Sequence, residues 1–464
     1  MRYLLRVFPA LASVLAAPAI EPLKPSDLIV GVCTHFSQDK GLLPANLRLI
    51  RQAGVASIRD EVGWRGLETE KGRLRMPEEW DTFVRRAAAA GIQPLLILDY
   101  GNPFYDGGDK PISEEATDAF TRYCEFVVRH FKGVVKHYEV WNEYDIKIGS
   151  KTAGSAENYA KLIKKVYPRI KAIDPSIVVD GGAMTPSGVR NGWLEKMLAE
   201  GSLPYMDAVS IHTYNYSRPG RERTPEAWAV WMQEVQDLIA RYNQGKPAPL
   251  YITEMGWPTQ IDKRGATPRT SADFLARMYL LSRSLPFLKG IWWYDFQDDG
   301  WSATYNEANF GIVRPDLTPK PAYYALSAIA DLVAASEYIG RVDTGDPDFY
   351  ILKFRRKSRQ DVWAIWSAHE DDDWQVELKS SAVKPLPVTL NEAGGRTFER
   401  IWGSRNWAEE PHAKVQADQL EITVRGTPWL ISGDLSAVRV SAIKRRPFPE
   451  LNRPAVAPPQ AGPE

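Results

Sequence analysis

Cysteine is almost absent from this sequence, and so is any excess of charge of one sign. Only Cys33 and Cys124 occur among the 464 residues, so a framework of disulfides does not hold the fold together. The 58 lysines and arginines are balanced by 58 aspartates and glutamates. A chain without net charge has no overall field that attracts nucleic acid or an anionic membrane surface. The composition therefore favours a neutral substrate and argues against a nucleic-acid partner.

The motifs of several enzyme classes are missing as well. No G-x-S-x-G segment occurs, so nothing indicates a serine nucleophile on a strand-to-helix turn. None of the six histidines stands in a spacing typical of a zinc site. No glycine-rich phosphate turn follows the first predicted strand, which argues against a dinucleotide cofactor. We therefore expect neither a cofactor nor a metal.

Long apolar runs are also lacking. Residues 1–19 contain Arg2 and Arg6, a short apolar stretch and the small-residue series Ala17–Ala19. This order is typical of a secretory signal peptide that is cleaved after Ala19. The apolar part is too short to span a bilayer. We expect a secreted or periplasmic protein with no membrane span after cleavage.

What the sequence does contain is a regular alternation of strand and helix patterns, within a hydrophobic fraction of 44% that is ordinary for a soluble protein. Eight such units predict a (β/α)8 TIM barrel over residues 20–335. A doubly wound open sheet is the rival, and the missing glycine-rich turn makes it weaker. The predicted strands are Leu28–Cys33, Ala56–Asp60, Gln93–Asp99, Val135–Glu143, Ile177–Asp180, Ala208–Tyr214, Leu250–Thr253 and Gly290–Phe296.

Beyond the barrel the pattern changes to short β-type runs separated by polar and glycine turns. These runs predict a small antiparallel β-sandwich domain over residues 336–445. Residues 446–464 are rich in proline without apolar periodicity, which indicates a disordered tail. The predicted strands of the sandwich are Phe349–Arg355, Val362–Ala368, Trp374–Leu378, Val388–Leu390, Glu399–Ile401 and Leu420–Val424.

Two of the predicted barrel strands end in a glutamate. Val135–Glu143 ends in the triplet Trp-Asn-Glu, and Leu250–Glu254 ends just before Met-Gly-Trp. Catalytic groups of parallel barrels lie at the carboxyl ends of their strands. Strands four and seven lie on opposite sides of the mouth, so Glu143 and Glu254 can face each other there. Paired carboxyl groups are what hydrolysis of a glycosidic bond requires.

These motifs resemble the retaining glycoside hydrolases of clan A, and the barrel with its small β-domain looks most like family 39. The resemblance implies that Glu143 is the general acid/base and Glu254 the nucleophile. It also implies a set of substrate-binding residues around them. These are Arg59 on strand two, Asn142 before the acid, His212 and Tyr214 on strand six, and Trp292 or Trp293 on strand eight.

Several alternatives stay open at this stage. Glu139 points to the same side of its strand as Glu143 and competes for the role of the acid. Arg59 could form an ion pair with Asp60 or Glu61 rather than contact the nucleophile. The protein could also be a non-catalytic carbohydrate-binding protein or a transglycosylase on the same barrel.

The function that these patterns predict is retaining hydrolysis of a polysaccharide or oligosaccharide, with endo action on a bacterial exopolysaccharide as the narrower expectation. The 16 tryptophans and 20 tyrosines fit this weakly, because flat aromatic faces cover sugar rings. The sequence indicates neither the sugar nor the oligomeric state.

Overall fold

The computed structural model describes residues 28–369, 372–382, 386–393, 396–402, 413–416 and 418–447. The predicted signal peptide at 1–19 lies outside these residues, and so does the predicted tail beyond Pro447. Within the described part of the chain, no helix is both long and apolar enough to cross a membrane.

Eight parallel strands close into a barrel in which each strand pairs with the next and β8 pairs with β1. This confirms the predicted fold class. Nearly every strand residue is buried, because helices cover the outer face and side chains fill the interior. The strands are β1 (Ile29–Cys33), β2 (Ser57–Glu61), β3 (Gln93–Leu98), β4 (His137–Val140), β5 (Val178–Met184), β6 (Ala208–His212), β7 (Leu250–Met255) and β8 (Leu288–Trp293).

The helices surround the barrel and begin at recognisable sequence signals. Ser155 caps α5 by accepting a hydrogen bond from the backbone of Asn158, and Thr224 caps α8 just before Pro225. The helices are α1 (Leu43–Gln52), α2 (Trp64–Leu67), α3 (Glu78–Ala89), α4 (Glu114–His130), α5 (Ala156–Ile173), α6 (Pro186–Arg190), α7 (Trp193–Ala199), α8 (Pro225–Tyr242), α9 (Pro268–Ser282) and α10 (Pro321–Ala335).

The C-terminal domain consists of two antiparallel sheets. The six-stranded sheet has the order β14-β13-β17-β11-β10-β9, and the four-stranded sheet has the order β15-β16-β12-β18. Their facing side chains form one core, as the predicted β-sandwich requires. The strands are β9 (Glu337–Arg341), β10 (Phe349–Arg355), β11 (Asp361–Ser367), β12 (Asp372–Ser380), β13 (Leu386–Glu392), β14 (Arg396–Trp402), β15 (Ala413–Gln416), β16 (Gln419–Val424), β17 (Trp429–Gly433) and β18 (Val438–Pro447).

The second face of the six-stranded sheet packs against the barrel. Leu352, Phe354 and Trp366 belong to the same hydrophobic cluster as the barrel helices. Trp366 also donates from Nε1 to the carboxylate of Glu226 on α8, at 2.9 Å. The sandwich is therefore joined to the barrel by a buried contact on the side of α8 and α9.

Four strands of the sandwich were not predicted from the sequence: β9, β15, β17 and β18. β18 carries the basic run Lys444–Arg446, which interrupts the apolar alternation that marks a strand. It nevertheless pairs with β12 along its length, because its backbone hydrogen-bonds to a strand whose alternate residues are buried in the core of the sandwich. Tertiary packing outweighs strand propensity here.

Candidate active site

The Trp-Asn-Glu triplet follows β4 directly and has an unusual backbone. Trp141 and Glu143 both adopt positive φ angles, 70° and 50°. Non-glycine residues in this region cost about 1–3 kcal/mol each and persist only where the surroundings hold them. Here the backbone N–H of Trp141 donates to the carbonyl oxygen of Leu98, and that of Glu143 donates to the carbonyl oxygen of Ala183, both at 2.9 Å. The neighbouring strands therefore hold the turn that aims Glu143 into the barrel mouth.

Arg59 on β2 lies at the centre of the site and is only 3% exposed. Its Nε donates to Glu139 at 2.7 Å, its Nη1 to Glu254 at 2.7 Å and its Nη2 to Asn142 at 2.8 Å. A guanidinium group offers five donors in a fixed plane, which suits it to orient several acceptors at once. The alternative of an ion pair with Asp60 or Glu61 is wrong, since Arg59 pairs with Glu139 and Glu254.

Glu254, near the end of β7, has both carboxylate oxygens held. Oε1 accepts from Arg59, and Oε2 accepts from the hydroxyl of Tyr214 at 2.7 Å. The structure thus brings the predicted residues Arg59, Asn142, Tyr214 and Glu254 together. Glu139, the competing acid, is fully buried beneath this layer and does not line the cleft.

The two glutamates at the strand ends lie close together, with a histidine between them. Nδ1 of His212 is 2.9 Å from Oε1 of Glu143 and 3.4 Å from Oε2 of Glu254. One carboxylate oxygen of each glutamate and one ring nitrogen of His212 all lie within 4.8 Å of one another. His212 was expected to contact substrate, but it is fully buried and instead links the two carboxylates.

The surroundings shift the pKa values of the two glutamates in opposite directions. Burial raises the pKa of Glu143, and the negative charge of Glu254 adds to this, although His212 acts in the opposite direction. Burial alone would raise the pKa of Glu254 as well. The charges of His212 and Arg59, together with the hydrogen bond from Tyr214, outweigh burial and lower it. A pair with one raised and one lowered pKa can supply a proton donor and an anion at the same pH.

The three side chains could also offer ligand atoms to a metal, but their other contacts oppose it. Both oxygens of Glu254 already accept hydrogen bonds from Arg59 and Tyr214. The guanidinium charge of Arg59 is 2.7 Å from this carboxylate and would repel a cation. The donor set therefore fits proton and nucleophile chemistry better than metal binding.

A cleft of about 790 Å³ lies over these residues at the carboxyl ends of the strands. Arg59, Asn142, Glu143, Tyr214 and Glu254 all line it. The volume falls in the range of about 300–1,000 Å³ that is common for ligand pockets. The barrel mouth therefore presents the paired carboxylates at the base of a cavity large enough for sugar rings.

Neither tryptophan predicted on strand eight lines this cleft, so that expectation is wrong. Trp292 points into the barrel interior, where it packs on Tyr251 and donates from Nε1 to Ser57 at 3.0 Å. Trp293 points outward and packs against Trp257. Side chains alternate along a strand, so the residue that reaches the mouth is the next inward one, Tyr294. Its ring lines the cleft.

The sequence interpretation also missed residues outside the strands. Tyr100 follows β3, and its hydroxyl accepts from Nδ2 of Asn142 at 2.8 Å. Arg190, the last residue of α6, and Arg218, in the loop after β6, also line the cleft. Tyr100 stood next to a predicted strand end, which was a usable signal. The two arginines carried no local signal, because only the fold brings their segments to the site.

A closed (β/α)8 barrel with paired glutamates at β4 and β7, held by an arginine and a tyrosine, defines a glycoside hydrolase of clan A. Residues 24–280 match the profile of the family described as Cellulase (glycosyl hydrolase family 5), and this stretch contains both glutamates. The chain belongs to that family. It is an O-glycosyl hydrolase and acts on a carbohydrate substrate, as the sequence predicted.

Solved structures show the same fold. A family 39 glycoside hydrolase from the gut symbiont Bacteroides cellulosilyticus is 24% identical, with a TM-score of 0.71 over 89% of this chain and 82% of that chain. A family 39 enzyme from Xanthomonas axonopodis pv. citri is 15% identical, with a TM-score of 0.62 over 90% and 96%. A monomeric β-xylosidase from Caulobacter crescentus is 16% identical, with a TM-score of 0.62 over 90% and 97%. No curated protein matches the chain.

Proposed function

We propose that the protein is a retaining glycoside hydrolase in which Glu254 is the nucleophile and Glu143 the general acid/base. The observation that supports this most directly is the position of the two carboxylates, which have oxygens within 4.8 Å of each other. Retaining enzymes separate these groups by about 5–5.5 Å, whereas inverting enzymes need roughly 6.5–9.5 Å to admit a water molecule.

In the first step, a carboxylate oxygen of Glu254 attacks the anomeric carbon of the sugar. The bond from that carbon to the glycosidic oxygen breaks, and the protonated Glu143 gives its proton to the departing oxygen. The product is an ester between the sugar and Glu254. The lowered pKa of Glu254 favours the ionised nucleophile, and the raised pKa of Glu143 favours the protonated acid.

In the second step, Glu143 is an anion and accepts a proton from water. The resulting oxygen attacks the anomeric carbon, and the ester bond to Glu254 breaks. This restores the carboxylate of Glu254 and the proton on Glu143. Arg59 and Tyr214 stabilise the carboxylate as it is released, because their hydrogen bonds to it are already in place.

The narrower part of the proposal concerns substrate and location. We propose endo action on a polysaccharide, with a bacterial exopolysaccharide as the expected class, in the periplasm or outside the cell. Residues that line the cleft lie on both sides of the two glutamates, which leaves room for sugars on either side of the bond that is cut. The proposed location depends on the leader pattern in residues 1–19.

The stereochemistry of the first product tests the mechanism. A panel of aryl β-glycosides and β-linked oligosaccharides is hydrolysed while the anomeric proton is followed by NMR. We expect the β-anomer to appear first and to mutarotate afterwards. First appearance of the α-anomer would contradict double displacement. Formation of longer glycosides at high substrate concentration would indicate that a sugar competes with water as the acceptor.

A further inference from the structure

The two halves of the cleft carry charges of opposite sign. A line from Glu143 after β4 to Glu254 on β7 divides the barrel mouth, because β5 and β6 lie on one side of it and β8, β1, β2 and β3 on the other. The wall formed by the segments after β5 and β6 contains two arginines. The opposite wall contains three acidic residues, Asp60, Glu61 and Glu307.

The arginine wall consists of Ser187, Arg190, Asn191, Ser217 and Arg218. The guanidinium carbon of Arg190 lies 3.8 Å from the centre of the Trp231 ring, a cation–π contact that restrains the position of the group. Among the described residues, no carboxylate forms an ion pair with Arg190. Burial and the positive charge of Arg218 lower the pKa of Arg190, so the two cations lie close enough to repel each other.

Charge compensation differs between the walls. Arg218 has one counter-ion, the exposed Glu222 at 2.5 Å, so two cations share a single carboxylate. On the opposite wall, Arg59 is paired with Glu139 and Glu254, and His35 is held by Asp295 and Asp299 at 3.4 and 3.0 Å. The arginine wall therefore keeps one positive charge without a paired carboxylate, and this charge favours an anion on this half of the cleft over the other.

We propose that the arginine wall binds an anionic group on the substrate, so that the sugar on this side of the cleaved bond carries a carboxylate or a sulfate. This inference rests on the proposed function, in which the cleft holds a sugar chain. A guanidinium group can donate two parallel hydrogen bonds to two oxygens of either anion. The substrate class that follows is an acidic polysaccharide, even though the protein as a whole has no net charge.

Binding can be measured without turnover in the Glu254→Gln protein. The probes are glucuronoxylan, gellan and hyaluronan, each before and after reduction of its carboxylates to alcohols, and dextran sulfate. Dissociation constants come from affinity electrophoresis at fixed salt. We expect at least one glucuronate polymer to bind roughly 10- to 100-fold more tightly than its reduced form, the range that one charge-assisted hydrogen bond provides.

Two variants separate the arginine wall from a general effect of charge. Arg190→Gln should abolish the preference, so that the acidic polymer and its reduced form bind about equally. Arg341→Gln is the matched control, because Arg341 lies 3.8 Å over the Tyr350 ring in the sandwich and does not line the cleft. It should keep the full preference. Stronger competition by free glucuronate than by inorganic sulfate assigns a carboxylate, and the reverse assigns a sulfate.

Equal binding of each acidic polymer and its reduced form would overturn the inference. So would failure of all the acidic probes to bind, or loss of the preference in the Arg341→Gln control. Activity measurements on the wild-type protein then show whether the proposed function fails together with this inference. Cleavage of neutral glycosides without any acidic preference leaves the hydrolase proposal intact. A preference for the acidic polymer together with first appearance of the α-anomer from a β-glycoside would instead contradict the retaining mechanism and keep the charge inference.

Discussion

Two buried arginines in this molecule each hold a glutamate, yet their surroundings differ. Arg59 donates to Glu254 at the base of the cleft. Arg277 on α9 donates to Glu226 from Nε at 2.8 Å and from Nη2 at 2.5 Å, in the contact between barrel and sandwich. Neither arginine is more than 3% exposed. The first pair lines the cleft, whereas Arg277 and Glu226 are not among the residues that line it.

The difference lies in what the remaining contacts of each glutamate do. The second partner of Glu226 is Trp366 of the other domain, so this carboxylate joins two domains. The second partner of Glu254 is Tyr214, and the carboxylate faces open space beside Glu143. In both cases burial would raise the pKa and the arginine lowers it. The same kind of ion pair therefore joins two domains at one site and, in the proposed mechanism, keeps the nucleophile ionised at the other.

The largest effect should come from Glu254→Ala. Loss of the nucleophile should lower kcat by about 10⁴-fold or more, the scale seen when an enzyme loses its attacking group. The protein should still fold, because Arg59 keeps its contact with Glu139. The measurement is the hydrolysis rate of an aryl β-glycoside with and without azide. Azide should restore turnover and give a glycosyl azide of inverted configuration, and activity within tenfold of wild type would contradict the assignment.

Glu143→Gln should lower activity by about 10²- to 10⁴-fold on substrates whose leaving group needs a proton, the range typical of general acid catalysis. Formation of the ester should be much less affected for a dinitrophenyl glycoside, because that leaving group departs without protonation. The alkaline limb of the pH profile should disappear, since it reports loss of the proton whose pKa is raised in Glu143. Equal loss on both substrates would indicate a structural role instead.

Breaking the buried ion pair between Arg277 and Glu226 should lower the stability of the protein. Glu226→Ala should reduce the free energy of unfolding by about 3 kcal/mol, because the buried guanidinium of Arg277 loses the carboxylate nearest to it. Urea unfolding measures this, and kcat per folded molecule should stay close to wild type. The double variant Glu226→Leu with Arg277→Met should recover most of the stability. A loss of activity without a loss of stability would show that the two pairs are not separate in function.

The smallest effect is a shift in pH dependence, and it compares the two arginines directly. Arg59→Lys replaces a planar group with a point charge and weakens the hydrogen bonding that favours ionised Glu254. The pKa of Glu254 should rise, so the acidic limb of kcat/KM should move to higher pH. Arg277→Lys should leave that limb where it is. A shift of equal size in both variants would mean that the limb does not report Glu254.

The parts of this molecule that were predictable are those that local patterns encode. Alternating strand and helix patterns indicated the eight units of the barrel, and Glu143 and Glu254 stood out because each follows an apolar strand run. Trp292 and Trp293 were predicted for the cleft because the resemblance to the clan A glycoside hydrolases implies a tryptophan on strand eight. The register of β8 against β1, where Gly31 pairs with Trp292, decides instead that Tyr294 reaches the mouth. A shift of one residue moves a side chain to the other face of the strand.

The order of the elements and the strand ends that carry acids follow from local sequence patterns, because each depends on residues close together in the chain. The contacts of Arg59 and Tyr214 with Glu254 were expected only from the family resemblance, since these residues lie far apart in the chain. The tertiary structure alone decided the separation of Glu143 and Glu254, the position of His212 between them and the arginine wall that faces an acidic one. Closure of the barrel sets these features, because it fixes distances between residues that are far apart in sequence, and electrostatic interactions depend on those distances.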